Sequence, residues 1–294
     1  MKVKVWGSRG SIPAPGPETM RYGGNTSCVA VTLSDGTLVV LDAGTGIRTL
    51  GLDLPPLQGP VNILLTHLHL DHIQGLMFFA PCFHPEAEIT VWGPASPAAV
   101  EAPLLDRIAR YISAPLSPVE VRELPCRVSF REAEASEWQI GSATVRSCSV
   151  SHRGPTLGYR IEEEGAALCY IPDHEPALGT PLDALEDEWI SGLELAAGAD
   201  LLIHDAQYTD DEYPAHLGWG HSSLSDALAF ARRAAVRRLL LFHHDPLHSD
   251  DFLDALGAEA RARWEAAGGA AEQIGLASER LELAVAARTS RRGP

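Results

Sequence analysis

The stretch that decides the fold of this 294-residue chain is Thr66-His67-Leu68-His69-Leu70-Asp71-His72. Residues 61–65 before it form a compact apolar run with the length of a buried strand, and residues 71–80 after it are predicted to be helical. Four side chains that can bind metal ions therefore fall within six residues, at a turn from a strand to a helix. In such a turn His67 and His69 point to one side while Asp71 and His72 open toward a neighbouring position, so the turn can serve two ions.

Short β-rich segments bounded by turn residues recur on both sides of this motif. Strands are predicted at 2–6, 27–33, 37–42, 88–93, 143–150, 157–162, 166–171, 200–204 and 238–242, with Ser34-Asp35-Gly36 as a hairpin turn. Helices are predicted at 96–113, 222–235 and 249–266. Because strands and strand–helix units occur in both halves, we expect an α/β protein with two packed sheets and helices outside. With no linker or repeat, residues 1–294 are expected to form one domain that is frayed at 289–294.

The composition excludes several classes of protein. The 23 Lys and Arg residues against 39 Asp and Glu residues give a net charge of −16, whereas nucleic-acid binders usually carry a basic face. No apolar run approaches the length of a membrane span, and the N-terminal residues are too polar for a signal peptide. Five cysteines without CxxC spacing favour reduced thiols over disulfides or a zinc ribbon. The sequence therefore indicates a cytoplasmic protein with no membrane partner.

The HxHxDH motif at residues 67–72 resembles the signature of the metallo-β-lactamase superfamily, and the similarity extends over most of the chain. This resemblance implies a four-layer αβ/βα sandwich of two mixed β-sheets with helices outside. It also implies two metal sites that share Asp173: His67, His69, His152 and Asp173 for one ion, and Asp71, His72, Asp173 and His243 for the other. Asp42 is similar to the family's buried aspartate that supports the metal-binding loop.

The implied ligands are imidazoles and carboxylates only. Such a set suits two Zn²⁺ ions, with Mn or Fe as alternatives and Co or Ni not excluded, because selectivity depends on geometry and supply. Three or four ligands per ion leave open positions for water, which is typical of a catalytic site. Two cations would also offset the repulsion between this acidic protein and an anionic substrate.

Three further features resemble the RNase Z-like phosphodiesterase branch: Gly158-Tyr159 after His152, the strand end Ile203-His204-Asp205-Ala206, and Gly220-His221-Ser222 before a helix. In that branch the acidic residue and the second histidine donate a proton, which implies catalytic roles for Asp205 and His221 beside the ligand Asp71. A histidine held by a carboxylate can protonate an alkoxide leaving group near neutral pH. The helix start at Ser222-Ser223 can also donate backbone N–H groups to a phosphate.

The chain departs from that branch in three ways. Asp205 replaces a glutamate, Pro172-Asp173-His174 replaces Gly-Asp-Thr, and the arm that grips transfer RNA is absent from residues 153–172. The resemblance assigns no role to His174, while His244 and His248 lie close enough in sequence to the predicted ligands to line the site. The missing arm and the net charge of −16 argue against transfer RNA as the substrate.

The sequence therefore predicts a binuclear phosphodiesterase whose partner is a small molecule: a cyclic nucleotide, another cyclic phosphodiester or a short oligonucleotide. The implied attack is by a hydroxide held between the ions. One alternative is a thioester or lactone hydrolase on the same fold, in which the Asp205 and His221 pair has no purpose. Another is a non-catalytic metal-binding scaffold, against which the complete set of seven ligands argues. The apolar segment 74–83 is either core or the contact of a homodimer.

Overall fold

The fold was analysed in a computed structural model that describes residues 1–55, 59–96 and 102–287. Within these residues the chain forms fourteen strands. In chain order they are β1 (Lys2–Gly7), β2 (Cys28–Thr32), β3 (Leu38–Leu41), β4 (Val61–Leu64), β5 (Glu88–Pro94), β6 (Arg127–Ala133), β7 (Ser136–Ile140), β8 (Ala143–Ser149), β9 (Leu157–Glu163), β10 (Ala166–Ile171), β11 (Leu201–Asp205), β12 (Leu239–Phe242), β13 (Ile274–Leu276) and β14 (Glu282–Ala284).

The strands build two sheets of seven. The order in the first sheet is β14-β1-β2-β3-β4-β5-β6, and the order in the second is β13-β12-β11-β10-β9-β8-β7. In the first sheet β3 to β6 are parallel and the remaining pairs are antiparallel. In the second sheet β10 to β13 are parallel and β7 to β10 are antiparallel. Both sheets are therefore mixed, as predicted.

Helices cover the outer faces of the sheets. They are α1 (Gly46–Asp53), α2 (Leu70–Ile73), α3 (Leu104–Ala109), α4 (Leu193–Ala196), α5 (Leu224–Arg233) and α6 (Asp250–Ala266). Between the sheets lies an apolar core that includes Val31, Tyr159 and Phe242. One outer core joins α1 and α3 to the first sheet, and another joins α4, α5 and α6 to the second. This layering confirms the predicted four-layer sandwich.

Several predicted element boundaries are wrong. The helix predicted at 71–80 ends at Ile73 and gives way to 3₁₀ turns at Leu76–Phe78 and Ala80–Phe83. Gly75 packs so closely on the main chain of Gly44 that a Cβ atom there would lie 2.0 Å from the Gly44 carbonyl oxygen. In the helix predicted at 96–113, only Leu104–Ala109 is α-helical, after the cap residue Pro103, and residues 97–101 lie outside the described residues. Strands β6, β7, β13 and β14 were not predicted, because they are short or largely polar.

The structure also bears on the predictions for the apolar segment, the cysteines and membrane-spanning helices. In the apolar segment 74–83, Leu76, Met77, Phe79 and Cys82 are buried, while Phe78 and Phe83 are exposed, so most of the segment is core. All five cysteines lie within the described residues and are free thiols. None of the helices in these residues is long and apolar enough to cross a membrane. The predicted frayed end, 289–294, lies outside the described residues.

Candidate metal centre

The predicted ligands lie just beyond the carboxyl ends of strands. His67 and His69 follow β4, His152 follows β8, Asp173 follows β10 and His243 follows β12. Parallel neighbours in a sheet end at the same edge, and the two sheets face each other across a common core. Loops from distant parts of the sequence therefore meet at one edge of the sandwich.

His67, His69 and His152 form the first cluster. Each offers one ring nitrogen, and these nitrogens all lie within 4.8 Å of one another. The Nε2 atom of His152 lies 3.2 Å from Nδ1 of His69. His67 is buried, but His69 is exposed, so one side of the cluster opens to solvent. An open side is what a water or substrate position beside a catalytic cation requires.

Asp71, His72, Asp173 and His243 form the second cluster, with all four side chains buried and their ligand atoms within 4.8 Å of one another. Asp173 faces both clusters. Its Oδ1 lies 3.1 Å from Nε2 of His72 and 3.3 Å from Nε2 of His243. Its Oδ2 lies 3.7 Å from Nε2 of both His67 and His152. The structure thus brings all seven predicted ligands together and places Asp173 between the two groups.

The donor atoms of this centre fit divalent cations. Nε2 of His67, Nε2 of His72 and Oδ1 of Asp173 are buried and make no hydrogen bond of suitable geometry, although Nε2 of His72 and Oδ1 of Asp173 lie only 3.1 Å apart. Buried polar atoms without partners are rare and costly in folded proteins. Imidazole nitrogens and carboxylate oxygens are also the donors that zinc and similar cations prefer. Cations placed between these atoms would satisfy the unpartnered groups.

In four of the five ligand histidines, the second ring nitrogen is held by a partner outside the two clusters. The contacts are Nδ1 of His67 with Thr66 Oγ1 (3.0 Å), Nδ1 of His72 with Asp42 Oδ2 (2.9 Å), Nδ1 of His152 with the Gly220 carbonyl oxygen (2.7 Å), and Nδ1 of His243 with Gln207 Oε1 (3.0 Å). Such partners orient metal-binding imidazoles and fix their tautomer. In these four residues the arrangement leaves Nε2 for the centre.

Asp42 lies where the resemblance placed it, beneath the loop that carries the HxHxDH motif. It is fully buried with a left-handed backbone (φ 59°). Its carboxylate accepts hydrogen bonds from the Thr66 backbone N–H at 2.7 Å and the Tyr170 hydroxyl at 3.0 Å, in addition to its contact with His72. A strained non-glycine backbone that persists in a dense network of contacts is typical of a functional site.

Two glycines let the main chain approach the ligands. A Cβ atom at Gly10 would lie 2.4 Å from the ring of His243, which itself has a left-handed backbone (φ 60°). At Gly220, where φ is +92°, a Cβ atom would lie 2.4 Å from the ring of His152. Any side chain at these positions would displace a predicted ligand.

The charges of the two clusters differ. Desolvation, complete for the His67 ring and partial for the rings of His69 and His152, lowers the pKa of all three, so these imidazoles are neutral and can bind a cation. Burial alone would lower the pKa of His72 too, but the carboxylates of Asp173, Asp71 and Asp42 outweigh it and raise that pKa well above its ordinary value. In the second cluster a cation must therefore displace a proton from His72.

Asp205 and His221 form a hydrogen-bonded pair beside the ligands. Nδ1 of His221 donates to Oδ2 of Asp205 at 2.7 Å. Burial alone would lower the pKa of His221, but the Asp205 carboxylate raises it to about 9. The His221 ring centroid lies 4.9 Å from that of His243 and 5.0 Å from that of His152. A proton-carrying imidazole therefore borders both clusters.

The start of α5 follows shortly after His221, and part of its main chain is hydrogen-bonded to the Tyr208 segment. Ser222 and Ser223 are buried, and the N–H of Leu224 donates to the carbonyl oxygen of Tyr208. The Ser223 hydroxyl caps α5 by accepting from the N–H of Asp226. The N–H groups of Leu224 and Asp226 are thus already paired within the protein, and phosphate binding by the N–H groups of Ser222 and Ser223 stays a prediction.

Three further histidines, His174, His244 and His248, follow predicted ligands in the sequence but lie outside both clusters. His174 contacts His204, with 2.9 Å between Nδ1 and Nε2, and the backbone N–H of His174 donates to Asp205. His244 is buried, with Nε2 2.8 Å from the Ala277 carbonyl oxygen, and burial lowers its pKa to about 3. Nε2 of His248 lies 2.9 Å from Glu212 Oε1. None of them belongs to either cluster.

The sequence motifs missed two supporting residues, Gln207 and Glu175. Gln207 contacts His243 as described above. Glu175 is 1% exposed, and its carboxylate accepts from the Tyr213 hydroxyl and from the N–H groups of Gly218 and Gly220, each at 2.8 Å. It thereby anchors the segment that delivers Gly220 to His152. In the sequence, only its position two residues after Asp173 indicated that Glu175 lies near the centre.

Comparisons with known proteins agree with this geometry. Residues 37–244 match a family described as the beta-lactamase superfamily domain. The chain is 29% identical to a protein named ribonuclease Z from Mycolicibacterium paratuberculosis, over 90% of this chain and 91% of that protein. Its fold is similar to that of the metallo-beta-lactamase fold protein YhfI from Bacillus subtilis (TM-score 0.69, 19% identity, 96% and 99% of the two chains). It is also similar to the short form of human tRNase Z (TM-score 0.67, 21% identity, 97% and 100%).

Proposed function

The chain belongs to the beta-lactamase superfamily and is a metal-dependent hydrolase, and we propose that it cleaves small phosphodiesters with the help of two divalent cations, most simply Zn²⁺. The similarity to ribonuclease Z supports phosphodiester chemistry. The observation that carries the proposal is the Asp205 and His221 pair next to the two ligand clusters. A thiolate leaves without a proton, so a thioester hydrolase has no need of such a donor, whereas the leaving alkoxide of a phosphodiester does.

The seven predicted ligands would hold two cations between them. His67, His69 and His152 would hold one cation, Asp71, His72 and His243 the other, and Asp173 would contact both. Cations bound there would supply a water nucleophile of lowered pKa and stabilise charge on the phosphoryl oxygens. Asp173 has its pKa held well below the usual range by the surrounding imidazoles, although burial alone would raise it, so it remains an anionic ligand.

His221 would donate a proton to the leaving group as the general acid. Because its Nδ1–H donates to Asp205, the proton available for transfer is on Nε2. Asp205 is itself fixed, since Oδ2 also accepts from the N–H of His174 and Oδ1 accepts from the N–H of Gln207, both at 2.9 Å. The imidazole is therefore oriented before substrate binds, as efficient general acid catalysis requires.

The surroundings of the centre favour a small substrate. Residues 153–172, all within the described part of the chain, hold the tight β9–β10 hairpin between His152 and Asp173, and no inserted arm. The net charge of −16 opposes binding of a long polyanion. Small phosphodiesters need few contacts beyond the centre, so neither feature excludes them.

An aromatic side chain at the edge of the centre supports a nucleotide-like substrate. Trp219 is 54% exposed and packs edge-on against His216, with 5.0 Å between the ring centroids. His216 stacks on Tyr208 at 4.3 Å, and Tyr208 contacts His221. An exposed indole held in this way can stack on a nucleobase. Arg153, whose Nε donates to the Gly218 carbonyl oxygen, adds a positive charge beside it.

Hydrolysis of bis-p-nitrophenyl phosphate tests the proposal. Zinc-loaded protein should hydrolyse it, and His69→Ala should lose at least about a hundredfold in kcat/KM because a ligand of the first cluster is removed. His84→Ala is the matched control, since His84 is exposed and lies in neither cluster, and should keep full activity. Equal activity of His69→Ala and the unaltered protein, or turnover of thioesters but not of phosphodiesters, would overturn the proposal.

A further inference from the structure

We propose that Gln207 selects the tautomer of His243 and thereby sets the affinity of the second cluster for its cation. The inference rests on the binuclear centre proposed above, but not on the identity of the substrate. Gln207 follows β11 and is only 3% exposed, with a side chain that touches no predicted ligand other than His243. It is therefore a positioning residue that acts through the imidazole.

The orientation of the Gln207 amide is fixed by its neighbours. Its Nε2 lies 3.1 Å from Oδ2 of Asp245 and 3.3 Å from the hydroxyl oxygen of Tyr208. A carboxylate only accepts hydrogen bonds, so the amide nitrogen must face Asp245. The opposite orientation would place two oxygens 3.1 Å apart. The amide oxygen consequently faces His243, at 3.0 Å from Nδ1.

This orientation determines where His243 carries its proton. The amide oxygen accepts only, so Nδ1 of His243 must donate, and in the neutral imidazole Nε2 then presents a lone pair. Nε2 lies 3.3 Å from Oδ2 of Asp71 and 3.3 Å from Oδ1 of Asp173. Three electron pairs thus face one another, and a cation between them satisfies all three.

Removal of the amide would allow the competing tautomer. In the neutral tautomer whose only proton is on Nε2, His243 would donate to Asp71 across the existing 3.3 Å contact and fill the place of the cation. Gln207 opposes this state, and its main chain is held in place because its N–H donates to Oδ1 of Asp205 at 2.9 Å. The carboxylate that orients His221 thus also fixes the residue that orients His243.

The test is zinc affinity, measured by titration of metal-free protein against a chromophoric chelator. Gln207→Leu removes the acceptor with little change in volume and should weaken the second ion about tenfold to a hundredfold while leaving the first unchanged. Gln207→Glu, made together with Asp245→Asn so that two carboxylates do not face each other at 3.1 Å, keeps an acceptor toward His243 and should bind the second ion at least tenfold more tightly than Gln207→Leu. Gln139→Leu, on the exposed side of β7, is the matched control and should match the unaltered protein.

Melting temperatures of the metal-free variants show whether each one folds. If Gln207→Leu does not fold, the zinc affinity of the double variant with Gln207→Glu and Asp245→Asn is compared with that of the unaltered protein. Unchanged affinity for two ions in Gln207→Leu would overturn the inference. Equal loss of the second ion in Gln207→Leu and the double variant would also overturn it, since the amide would then act only through packing. An unaltered protein that binds no zinc would instead contradict the proposed binuclear function.

Discussion

Three neighbours determine the role of the His221 imidazole. It is hydrogen-bonded to Asp205 and packs against the rings of His152 and His243. Asp205 has one methylene fewer than the glutamate of the branch that the sequence resembles. The structure shows that this shorter side chain still reaches Nδ1 at 2.7 Å. The replacement therefore preserves the pair.

His221→Ala should separate substrates by their leaving groups. A poor leaving group such as an alkoxide needs a proton, whereas p-nitrophenolate departs without one. We expect kcat for an alkyl phosphodiester to fall about a hundredfold or more, and kcat for bis-p-nitrophenyl phosphate to fall much less. Steady-state kinetics on the two substrates measure the difference. A uniform loss would mean that His221 is not the acid.

His204 makes the stability of the metal-free protein depend on pH. Burial lowers the pKa of His204 to about 4, whereas a histidine in the unfolded chain titrates near 6.5. The unfolded state therefore binds more protons as the pH falls below 6.5, and the free energy of unfolding falls until the pH passes about 4, by roughly 3 kcal/mol for this group. Urea denaturation at pH 7 and pH 4 should show a smaller loss for His204→Gln than for the unaltered protein. Equal losses would contradict this account.

At the scale of elements, the turn between β4 and α2 was predictable because it is local: the apolar strand and the spacing of the motif lie within a few residues. The helix predicted at 71–80 failed because its end depends on tertiary contact. Gly75 packs on Gly44, thirty-one positions away in the sequence, and no local pattern reports that approach. Short edge strands such as β14 escape prediction for the same reason, since pairing with β1 creates them.

The segment from Tyr213 to Gly220 begins with a 3₁₀ turn at Tyr213–Ala215, and Glu175 holds it in place. Near its C-terminal end it exposes Trp219 to solvent, and the next residue, Gly220, presents its carbonyl oxygen to His152. Because a buried carboxylate anchors it at both Tyr213 and Gly220, we expect Trp219 to be a fixed platform for a substrate.

Trp219→Ala should raise KM for a cyclic nucleotide about tenfold with little change in kcat, because stacking on a base contributes about 1–3 kcal/mol. KM for a dialkyl phosphodiester should change little. Trp189→Ala is the control, since Trp189 is 70% exposed and lies in a different segment, Asp187–Trp189, that carries none of the predicted ligands. The same change in KM for both substrates, or the same effect from Trp189→Ala, would contradict a stacking role.

At the scale of the whole molecule, the seven ligands follow four separate strand ends in two sheets. The resemblance identified them, because each lies in a recognisable local motif. The supporting contacts could not be predicted in this way. Gln207 and His243 are thirty-six positions apart and meet only because β11 and β12 are adjacent in the second sheet. The charge of the centre likewise depends on burial that only the folded chain creates.

Anomalous diffraction from zinc-soaked crystals at the zinc absorption edge shows whether these seven residues bind two cations. The account predicts two peaks, one among His67, His69 and His152 and one among Asp71, His72 and His243, with Asp173 in contact with both. No peak at these residues, or zinc bound elsewhere on the chain while they remain free, would contradict it.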